Sequence, residues 1–561
     1  MADVILGIDL GTTNSLVAVV EAGRPRVLTV DGGPLLPSVV GIDEQGQRLV
    51  GHAARNQYVA APERTVRSIK RQMGKSDYRA PLGEASYTPE EISSWILRRL
   101  AEAASAELGA DVRRAVITIP AYFSDRQRQA TLRAGELAGL EVVRLLHEPT
   151  AAALVYGLQR SDAETTLVYD LGGGTFDVSV VELDQGITEV RASHGNRELG
   201  GDDFDALIVE YLAQQFERQH HVDLRTDRLA MSRVVRAAEA AKIRLSDHPY
   251  AEIREEFLVT QGGKPLHLEA ELSRERFEEM IEPLLAGTVE SVRRALKESG
   301  VDARALDEVL LVGGSTRIPR VRELIAEELR HDPRQDLDPD EAVALGAAVQ
   351  AAVIAGHGVD AVLVDVCPHS LGIRTLGIRA GDESDDVFVP IIRRNTAIPV
   401  SRSERFYTVH PDQDTVAVKV YQGEEPTATR NTHLGELMFR DLAEDPDGGL
   451  REVLVAFDYD INGILHVAAV DRRTGRREEM HLHTAALTEV AASGSSLPPE
   501  AAALLAKLRA LQPRLAGSPD AAGLDQLIAQ AETVGGGSGA EGLAAWQEAA
   551  GGFLFEHSPE Y

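Results

Sequence analysis

The sequence has little cysteine, no long apolar run and too few basic residues to balance its acids. Its one cysteine, Cys367, excludes an intramolecular disulfide and a CxxC metal site. No run of about 18 apolar residues occurs, so no transmembrane helix is expected. The 58 Lys and Arg residues against 88 Asp and Glu residues give a formal net charge of −30. This balance disfavours nucleic acid or an anionic membrane as the main ligand, because both need a basic face. No signal peptide precedes the first apolar stretch, so the cytoplasm is the expected compartment.

At 561 residues the chain is too long for one core and predicts roughly two to four domains. Residues 1–357 alternate strand-like apolar runs with amphipathic helical periods, which is typical of an α/β domain. The patterns predict strands at 4–9, 15–20, 114–119, 166–181 and 308–312, and helices at 89–108, 124–138, 204–218, 227–245, 274–299 and 317–330.

Three further segments follow this domain. Residues 358–366 contain a short apolar run flanked by acids, which indicates either a buried strand or a linker that docks conditionally. Residues 367–487 alternate in polarity between turn signals such as Asn462-Gly463, which predicts an all-β module. Residues 488–561 are rich in Ala and Leu and are interrupted by glycines, which predicts a short helical region that needs a partner surface.

Two related phrases, Asp9-Leu-Gly-Thr-Thr13 and Asp170-Leu-Gly-Gly-Gly-Thr-Phe-Asp177, each stand between two apolar runs. Each predicts a hairpin whose Gly/Thr tip exposes backbone N–H groups, a nest that binds anionic oxygens. The carboxylates at the tips repel phosphate, so they require a cation between themselves and the ligand. One such turn would indicate only an ordinary hairpin. Two facing copies predict a cleft that clamps a Mg-bound polyphosphate.

Other segments could complete a nucleotide site. Glu239, Lys242 and Ser246 share one helical face, where they could bind a ribose and a base edge or could form an ordinary solvated face. The turn from Gly313 to Arg317 follows a predicted buried strand, so its glycines allow a ligand to approach and Arg317 can stack on a base. Lys70 would be an ordinary solvated lysine without the phosphate hairpins.

Together these residues strongly resemble the DnaK-type chaperones of the seventy-kilodalton heat-shock family, over residues 4 to about 485. Within that family the chain looks closest to the HscC-like branch. The resemblance rests on ordered phrases along the whole chain: Gly7-Ile-Asp-Leu-Gly-Thr-Thr-Asn-Ser15, Ile119-Pro-Ala-Tyr-Phe123, Glu148-Pro-Thr-Ala-Ala-Ala153, Leu199-Gly-Gly-Asp-Asp-Phe204, Asp340-Glu-Ala-Val343, Asp365-Val-Cys-Pro, Ser370-Leu-Gly-Ile373, Pro399-Val-Ser-Arg402, His410-Pro-Asp-Gln-Asp414, Tyr421-Gln-Gly-Glu424 and Asn462-Gly-Ile-Leu-His-Val467.

The resemblance implies an actin-like, two-lobed ATPase domain at 1–357, a linker at 358–366, a β-sandwich peptide-binding domain at 367–487 and a short helical lid-like region at 488–561. It implies ATP or ADP, Mg²⁺ and K⁺ as ligands. Lys70 would assist attack of water on the γ-phosphate, with Asp9, Glu148, Asp170 and Thr175 as further catalytic residues. The metal set would be Asp9, Glu148, Asp170 and Asp177. The nucleotide set would be Gly11, Thr12, Thr13, Gly172, Gly173, Gly174, Gly200, Gly201, Glu239, Lys242, Ser246, Gly313, Gly314, Ser315, Arg317 and Asp340.

The same resemblance implies how the two domains communicate. Pro120, Arg128, Leu363 and Val364 match positions that relay the nucleotide state to the linker. Ile373, Leu376, Phe406, Val416 and Val418 match the pocket for an extended apolar peptide, although without the resemblance they would be plain sandwich core. The implied partners are unfolded polypeptides and a J-domain co-chaperone, and the need for a nucleotide-exchange factor stays open.

Several departures from the family pattern matter for function. His147 stands where Asn is usual, which should alter the cleft beside Glu148. The stretch 74–115 is short, the linker core 361–364 is less apolar than usual, and the region after 488 is about half a usual lid. We therefore expect an ATP-dependent chaperone, with a dedicated client-binding regulator as the alternative. A small-molecule kinase of the same fold is disfavoured, because it needs no β module.

Overall fold

The computed structural model describes residues 4–158, 163–184, 186–334, 338–357, 362–379 and 382–480, together with 523, 524, 526–528 and 530. Residues 1–484 form one compact unit and residues 485–561 a second. In the second unit the described residues are helical, and Leu524 and Ile528 are buried. The predicted helical region 488–561 otherwise lies outside the described residues.

The first lobe of the α/β half is built on a mixed sheet in the order β11-β10-β1-β2-β3, with β4 paired to β2. Strands β1 and β2 form the first predicted hairpin, and β1 pairs in parallel with β10. The strands are β1 Ile5–Asp9, β2 Asn14–Glu21, β3 Arg24–Val27, β4 Leu36–Pro37, β5 Val39–Ile42, β6 Arg48–Val50, β7 Thr65–Arg67, β8 Ala80–Leu82, β9 Ala85–Tyr87, β10 Arg114–Ile119 and β11 Glu141–His147; the helices are α1 His52–Tyr58, α2 Pro89–Leu108, α3 Asp125–Ala138 and α4 Glu148–Gly157.

The second lobe repeats this plan. Its hairpin consists of β12 and β13, and β12 also pairs in parallel with β17. The sheet order is β17-β12-β13-β14-β18-β21. The predicted strand 166–181 is therefore two strands joined by the turn at 172–175. The elements are β12 Glu164–Leu171, β13 Phe176–Asp184, β14 Ile187–Asn196, β15 Tyr250–Gln261, β16 Lys264–Ser273 and β17 Glu308–Val312, with α5 Gly201–His220, α6 Arg228–Asp247, α7 Arg274–Ser299, α8 Pro319–Leu329 and α9 Ala342–Ile354.

The remaining described strands begin at the linker. Strand β18 joins the second lobe's sheet and pairs with β21, and the other strands after it form two four-stranded sheets, β20-β19-β23-β24 and β22-β25-β26-β27. The bounds are β18 Val362–Val366, β19 Leu371–Arg379, β20 Asp382–Ile392, β21 Ala397–Ile398, β22 Val400–Tyr407, β23 Val416–Gln422, β24 Thr432–Phe439, β25 Glu452–Tyr459, β26 Leu465–Asp471 and β27 Arg477–Met480.

Local sequence signals explain where the helices begin and end. Thr88 and Glu91 form a reciprocal capping box at the start of α2, and Gly109 ends that helix in the left-handed region. At the start of α3 the Gln127 side chain accepts a hydrogen bond from the Ser124 N–H at 3.0 Å. Because these signals are short-range, the helices predicted at 89–108, 124–138 and 274–299 agree with the structure to within a residue.

No described helix has the length and apolar character needed to cross a membrane.

Candidate functional site

The tips of the two hairpins meet face to face. The Gly174 backbone packs on Thr12, so that a Cβ added at Gly174 would lie 2.7 Å from the Thr12 Cγ2 atom. Gly200 packs on the same tip, where an added Cβ would lie 2.5 Å from the Gly173 carbonyl carbon. A side chain at Gly174 would push the two tips apart, and one at Gly200 would push the start of α5 away from the second hairpin. Glycine is what permits both approaches.

Between the tips lies a cleft of about 540 Å³. Most of the predicted nucleotide and catalytic residues line it: Asp9, Gly11, Thr12, Thr13, Lys70, Glu148, Asp170, Gly172, Gly173, Thr175, Glu239, Lys242, Ser246, Gly313, Gly314, Ser315, Arg317 and Asp340. The other predicted residues support this lining from behind. Gly174 and Gly200 pack on the tips, the Gly201 N–H donates to the Gly172 carbonyl at 3.0 Å, and the Asp177 carboxylate accepts the Tyr122 N–H at 3.1 Å.

Lys70 is the buried cation of the cleft. It lies in a short 3₁₀ turn, Ile69–Gln72, and its Nζ atom is 2.5 Å from the Glu148 Oε1 atom at the first residue of α4. Both side chains are at most 10% exposed. A buried ammonium needs such a partner, because burying an unpaired charge is costly. The ion pair therefore fixes Lys70 beside the hairpin tips.

The buried carboxyl groups around Lys70 outnumber its ammonium. Burial and the neighbouring Glu148 raise the pKa of Asp9 to about 7 and that of Asp177 to about 8. The same two causes raise the pKa of Asp170 well above its ordinary value. The Asp170 Oδ2 atom is buried and has no hydrogen-bond partner. Such a set of oxygen donors, in excess over the local positive charge, fits a hard divalent cation such as Mg²⁺.

The arrangement suits a hydrated Mg²⁺ ion rather than a fully protein-ligated metal. Among the described residues, no three His, Cys, Asp or Glu side chains are close enough together to hold one metal ion directly. Mg²⁺ characteristically keeps several waters and binds one or two carboxylates together with substrate phosphates. Asp9, Glu148 and Asp170 would hold such an ion directly or through its waters around a bound polyphosphate.

The predicted base-and-ribose face on α6 lines the cleft, but two of its side chains already have partners. The Glu239 carboxylate contacts Arg55 at 3.4 Å and Arg67 at 3.2 Å. The Lys242 ammonium contacts Asp205 at 2.9 Å and the Gly201 carbonyl at 3.1 Å. The face is therefore an organised wall of the cleft rather than the solvated surface that was its alternative.

The turn after β17 closes the opposite wall. The Ser315 hydroxyl donates to the Gly172 carbonyl at 2.9 Å, which ties this turn to the second hairpin. Gly313 has a φ of 83°, a conformation that favours glycine. Arg317 was predicted to stack on a base. In the structure its guanidinium pairs with Asp340 at 2.8 Å, and its side chain is 47% exposed.

The predicted switch residues lie where the α/β half meets the β module. Pro120 follows β10 and is buried, and Arg128 on α3 is 1% exposed. The Arg128 guanidinium donates to the Asn462 carbonyl at 3.4 Å, in the β25–β26 turn of the β module. The Asn462 side chain in turn accepts the Leu145 N–H at 3.0 Å.

The linker strand β18 is paired on both sides. Leu363 lies opposite Thr188 and Val364 opposite Glu189 in a parallel ladder with β14, and β18 also pairs with β21. Leu363 and Val364 are both half-buried. Residues 362–366 therefore form a paired strand in this structure, and conditional docking of the segment stays a prediction. Residues 358–361 lie outside the described part of the chain.

The predicted peptide-binding residues divide into three groups. Ile373 and Val418 are buried in the core of the β module, at 4% and 2% exposure. Phe406 and Val416 are half-buried against that core. Leu376 is 51% exposed and does not join them. The structure thus brings four of the five side chains to one cluster and leaves the fifth outside it.

Sequence reasoning missed two pairings. Arg55 and Arg67 hold Glu239 from the facing lobe and, together with Arg236, line an adjoining cavity of about 200 Å³. His147 was expected to alter the cleft beside Glu148, and its ring lies 2.8 Å from the Asp365 carboxylate of β18. Burial lowers the pKa of His147, so the ring is neutral near pH 7. No local motif marks Arg55 or Arg67, and the phrases around His147 and Asp365 do not reveal that these two side chains pair.

The geometry is thus a Mg²⁺-compatible polyphosphate cleft joined through a paired linker strand to a β module. The family described as Hsp70 protein matches residues 5–493, which is well over half of the chain. On that match, the chain belongs to the Hsp70 family.

Proposed function

We propose that this protein is an ATP-dependent molecular chaperone whose nucleotide state controls the binding and release of extended apolar peptide segments. Hsp70 proteins in general are ATP-hydrolysing chaperones that use Mg²⁺ and act on unfolded clients with J-domain co-chaperones. For this chain the proposal rests above all on the linker strand, since β18 hydrogen-bonds to β14 of the nucleotide-binding half and to β21 at the β module. A strand shared in this way can couple two sites.

The catalytic residues would act mainly by positioning. Lys70 would orient the attacking water and offset charge on the γ-phosphate, with Glu148 holding its ammonium 2.5 Å away. The backbone of Gly172–Gly174 and the Thr12, Thr13 and Thr175 hydroxyls would cradle the phosphates. Asp9, Glu148 and Asp170 would hold a bound Mg²⁺ ion, which neutralises phosphate charge, and Asp177 would help to place K⁺.

The peptide site would lie in the β module, around Ile373, Phe406, Val416 and Val418. Phe406 and Val416 are half-buried at the edge of the module's core, so an apolar side chain of a client could complete their packing. The role of Leu376 stays a prediction, as do the HscC-like placement and a cytoplasmic location.

A dedicated client-binding regulator with the same cycle remains a second candidate. The described part of the 74–115 stretch carries only the short hairpin β8–β9 ahead of α2, so it offers little surface to accessory factors. Capture of clients from cell extract, with and without ATP, separates a single client from a broad unfolded set.

The experiment that tests the proposal is ATP turnover by the full chain with and without an unfolded apolar peptide. A chaperone of this type hydrolyses ATP slowly alone and faster with peptide, and it releases bound peptide when ATP is added. Absence of ATP hydrolysis, or hydrolysis with no link to peptide, would contradict the proposal. Phosphorylation of a sugar would instead favour a kinase.

A further inference from the structure

His147 occupies a junction between the nucleotide site and the linker. It is the last residue of β11 and directly precedes Glu148, the first residue of α4 and the partner of Lys70. Its side chain is 3% exposed and faces the linker strand rather than the described lining of the cleft. A shift of His147 would therefore move the backbone that carries Glu148.

Both nitrogens of the imidazole are engaged. The Nδ1 atom lies 2.8 Å from the Asp365 Oδ1 atom, and the Nε2 atom lies 2.7 Å from the Arg128 Nη2 atom. A guanidinium can only donate, so Nε2 must be the acceptor and the proton must lie on Nδ1. The ring thus donates to the linker carboxylate and accepts from the switch arginine, which specifies one neutral tautomer.

The two partners lead to different parts of the chain. Arg128 also donates to the Ala121 carbonyl at 3.3 Å and to the Asn462 carbonyl of the β module at 3.4 Å. Asp365 belongs to β18, the linker strand paired with β14. One buried side chain therefore connects the Glu148 backbone, helix α3 and the linker.

We infer that His147 is the positioning residue through which linker docking sets the placement of Glu148 and Lys70. This inference rests on the proposed function, because it concerns the rate of the proposed hydrolysis. When β18 is paired, Asp365 and Arg128 hold the ring from both ends and fix the start of α4. When β18 leaves, the Asp365 bond is lost and His147 with its neighbour is free to shift. His147 acts through Glu148 and need not touch the nucleotide.

Two conservative variants separate the two bonds. An Asn side chain ends near the position of Nδ1, so His147→Asn keeps a donor to Asp365 and loses the acceptor for Arg128. A Gln side chain reaches the position of Nε2, so His147→Gln keeps the acceptor for Arg128 and loses the donor to Asp365. His147→Ala removes both, and His248→Asn is the matched control because His248 is an exposed histidine.

The experiment uses the full chain and measures single-turnover ATP hydrolysis with and without an unfolded peptide, together with the Kd for ATP. We expect His147→Gln to lower the peptide-stimulated rate roughly fivefold, as one lost buried hydrogen bond would, and His147→Ala to lower it further. The Kd for ATP should change less than about twofold, because the ring does not contact the cleft. His248→Asn should match the wild type.

A double-mutant cycle with Asp365→Ala, which removes the acceptor, tests whether His147 acts through the linker. If it does, His147→Gln should add little to the defect of Asp365→Ala. Full additivity, or a normal stimulated rate in His147→Gln and His147→Ala, would overturn the inference. If His147→Ala does not fold, the two single-bond variants still decide the question. Lack of peptide stimulation in the wild type would instead contradict the proposed function.

Discussion

His369 should make docking of the β module sensitive to acid. It lies between β18 and β19, and its Nε2 atom donates to the Tyr122 carbonyl of the nucleotide-binding half at 3.1 Å. Its ring packs on the Tyr122 ring with centroids 4.1 Å apart. Burial lowers the pKa of this imidazole from 6.5 to about 3. Undocking would return the ring to water, so protonation favours the undocked state.

The size of the effect follows from proton linkage. The docked form requires neutral His369, so its contribution is intact above pH 6.5 and falls as the pH drops below that value. A pH of 5.0 lies about 1.5 units below the pKa of the undocked imidazole, so docking is weakened there by about 2 kcal/mol. The value depends little on the docked pKa, because pH 5.0 lies far above it.

Asp125 has the opposite effect on docking as the pH falls. Its carboxylate accepts the Leu465 N–H, burial raises its pKa to about 6, and its protonation favours docking by about 1.4 kcal/mol at pH 5.0.

Because these contributions have opposite signs, the informative quantity is the difference between wild type and His369→Gln. Gln keeps a donor for the Tyr122 carbonyl but does not titrate. Lowering the pH from 7 to 5 should therefore weaken docking of His369→Gln by about 2 kcal/mol less than it weakens docking of the wild type. The assay is energy transfer between dyes at Glu84→Cys and Glu436→Cys, which is practical because Cys367 is buried. Equal pH dependence in both proteins would refute the reasoning. His248→Asn is the control.

Three further predictions concern the catalytic lysine, the linker and the tail. Lys70→Ala should still bind ATP but lose roughly 3–4 kcal/mol of transition-state stabilisation, on the order of a hundredfold in single-turnover rate; a near-normal rate would remove Lys70 from the mechanism. Leu363→Asp with Val364→Asp should block pairing of β18, since it buries unpaired carboxylates. Basal hydrolysis and peptide binding should survive without ATP-driven release, and retained release would make the segment a tether. Deletion of 500–561, which lies almost wholly outside the described residues, should leave ATP hydrolysis intact and change peptide dissociation in ADP by less than about tenfold. A much faster dissociation would make the tail a working lid.

The parts of the fold that could be predicted from sequence are those encoded locally. The hairpins at Asp9–Thr13 and Asp170–Asp177 could be predicted because apolar runs flank their glycine-containing turns. The helices have caps within a few residues of their ends, as at Thr88 and Ser124. Local signals of this kind need no knowledge of the tertiary structure, which explains why the element positions agree closely.

The pairings that could not be predicted join residues far apart in sequence. His147 meets Asp365 across 218 positions, and Arg55 meets Glu239 across 184. Nothing near either residue reveals its partner. Arg317, which was predicted to stack on a base, pairs with Asp340 in the structure, and its role toward a base stays a prediction. A charged side chain in a cleft can serve the ligand or a neighbour, and spacing does not distinguish the two.

Helix α9 is rich in small residues, and its close packing positions two of the predicted catalytic groups. Its sequence is almost entirely Ala, Val and Gly, and it crosses both β1 and α4. A Cβ at Gly346 would overlap the Ala151 carbonyl of α4, and one at Gly7 of β1 would overlap the Ala348 backbone of α9. Backbone therefore touches backbone at both contacts, and close-packed interiors do not deform continuously. Since β1 ends at Asp9 and α4 begins at Glu148, these two contacts with α9 fix the spacing of two of the three carboxylates that would hold a Mg²⁺ ion.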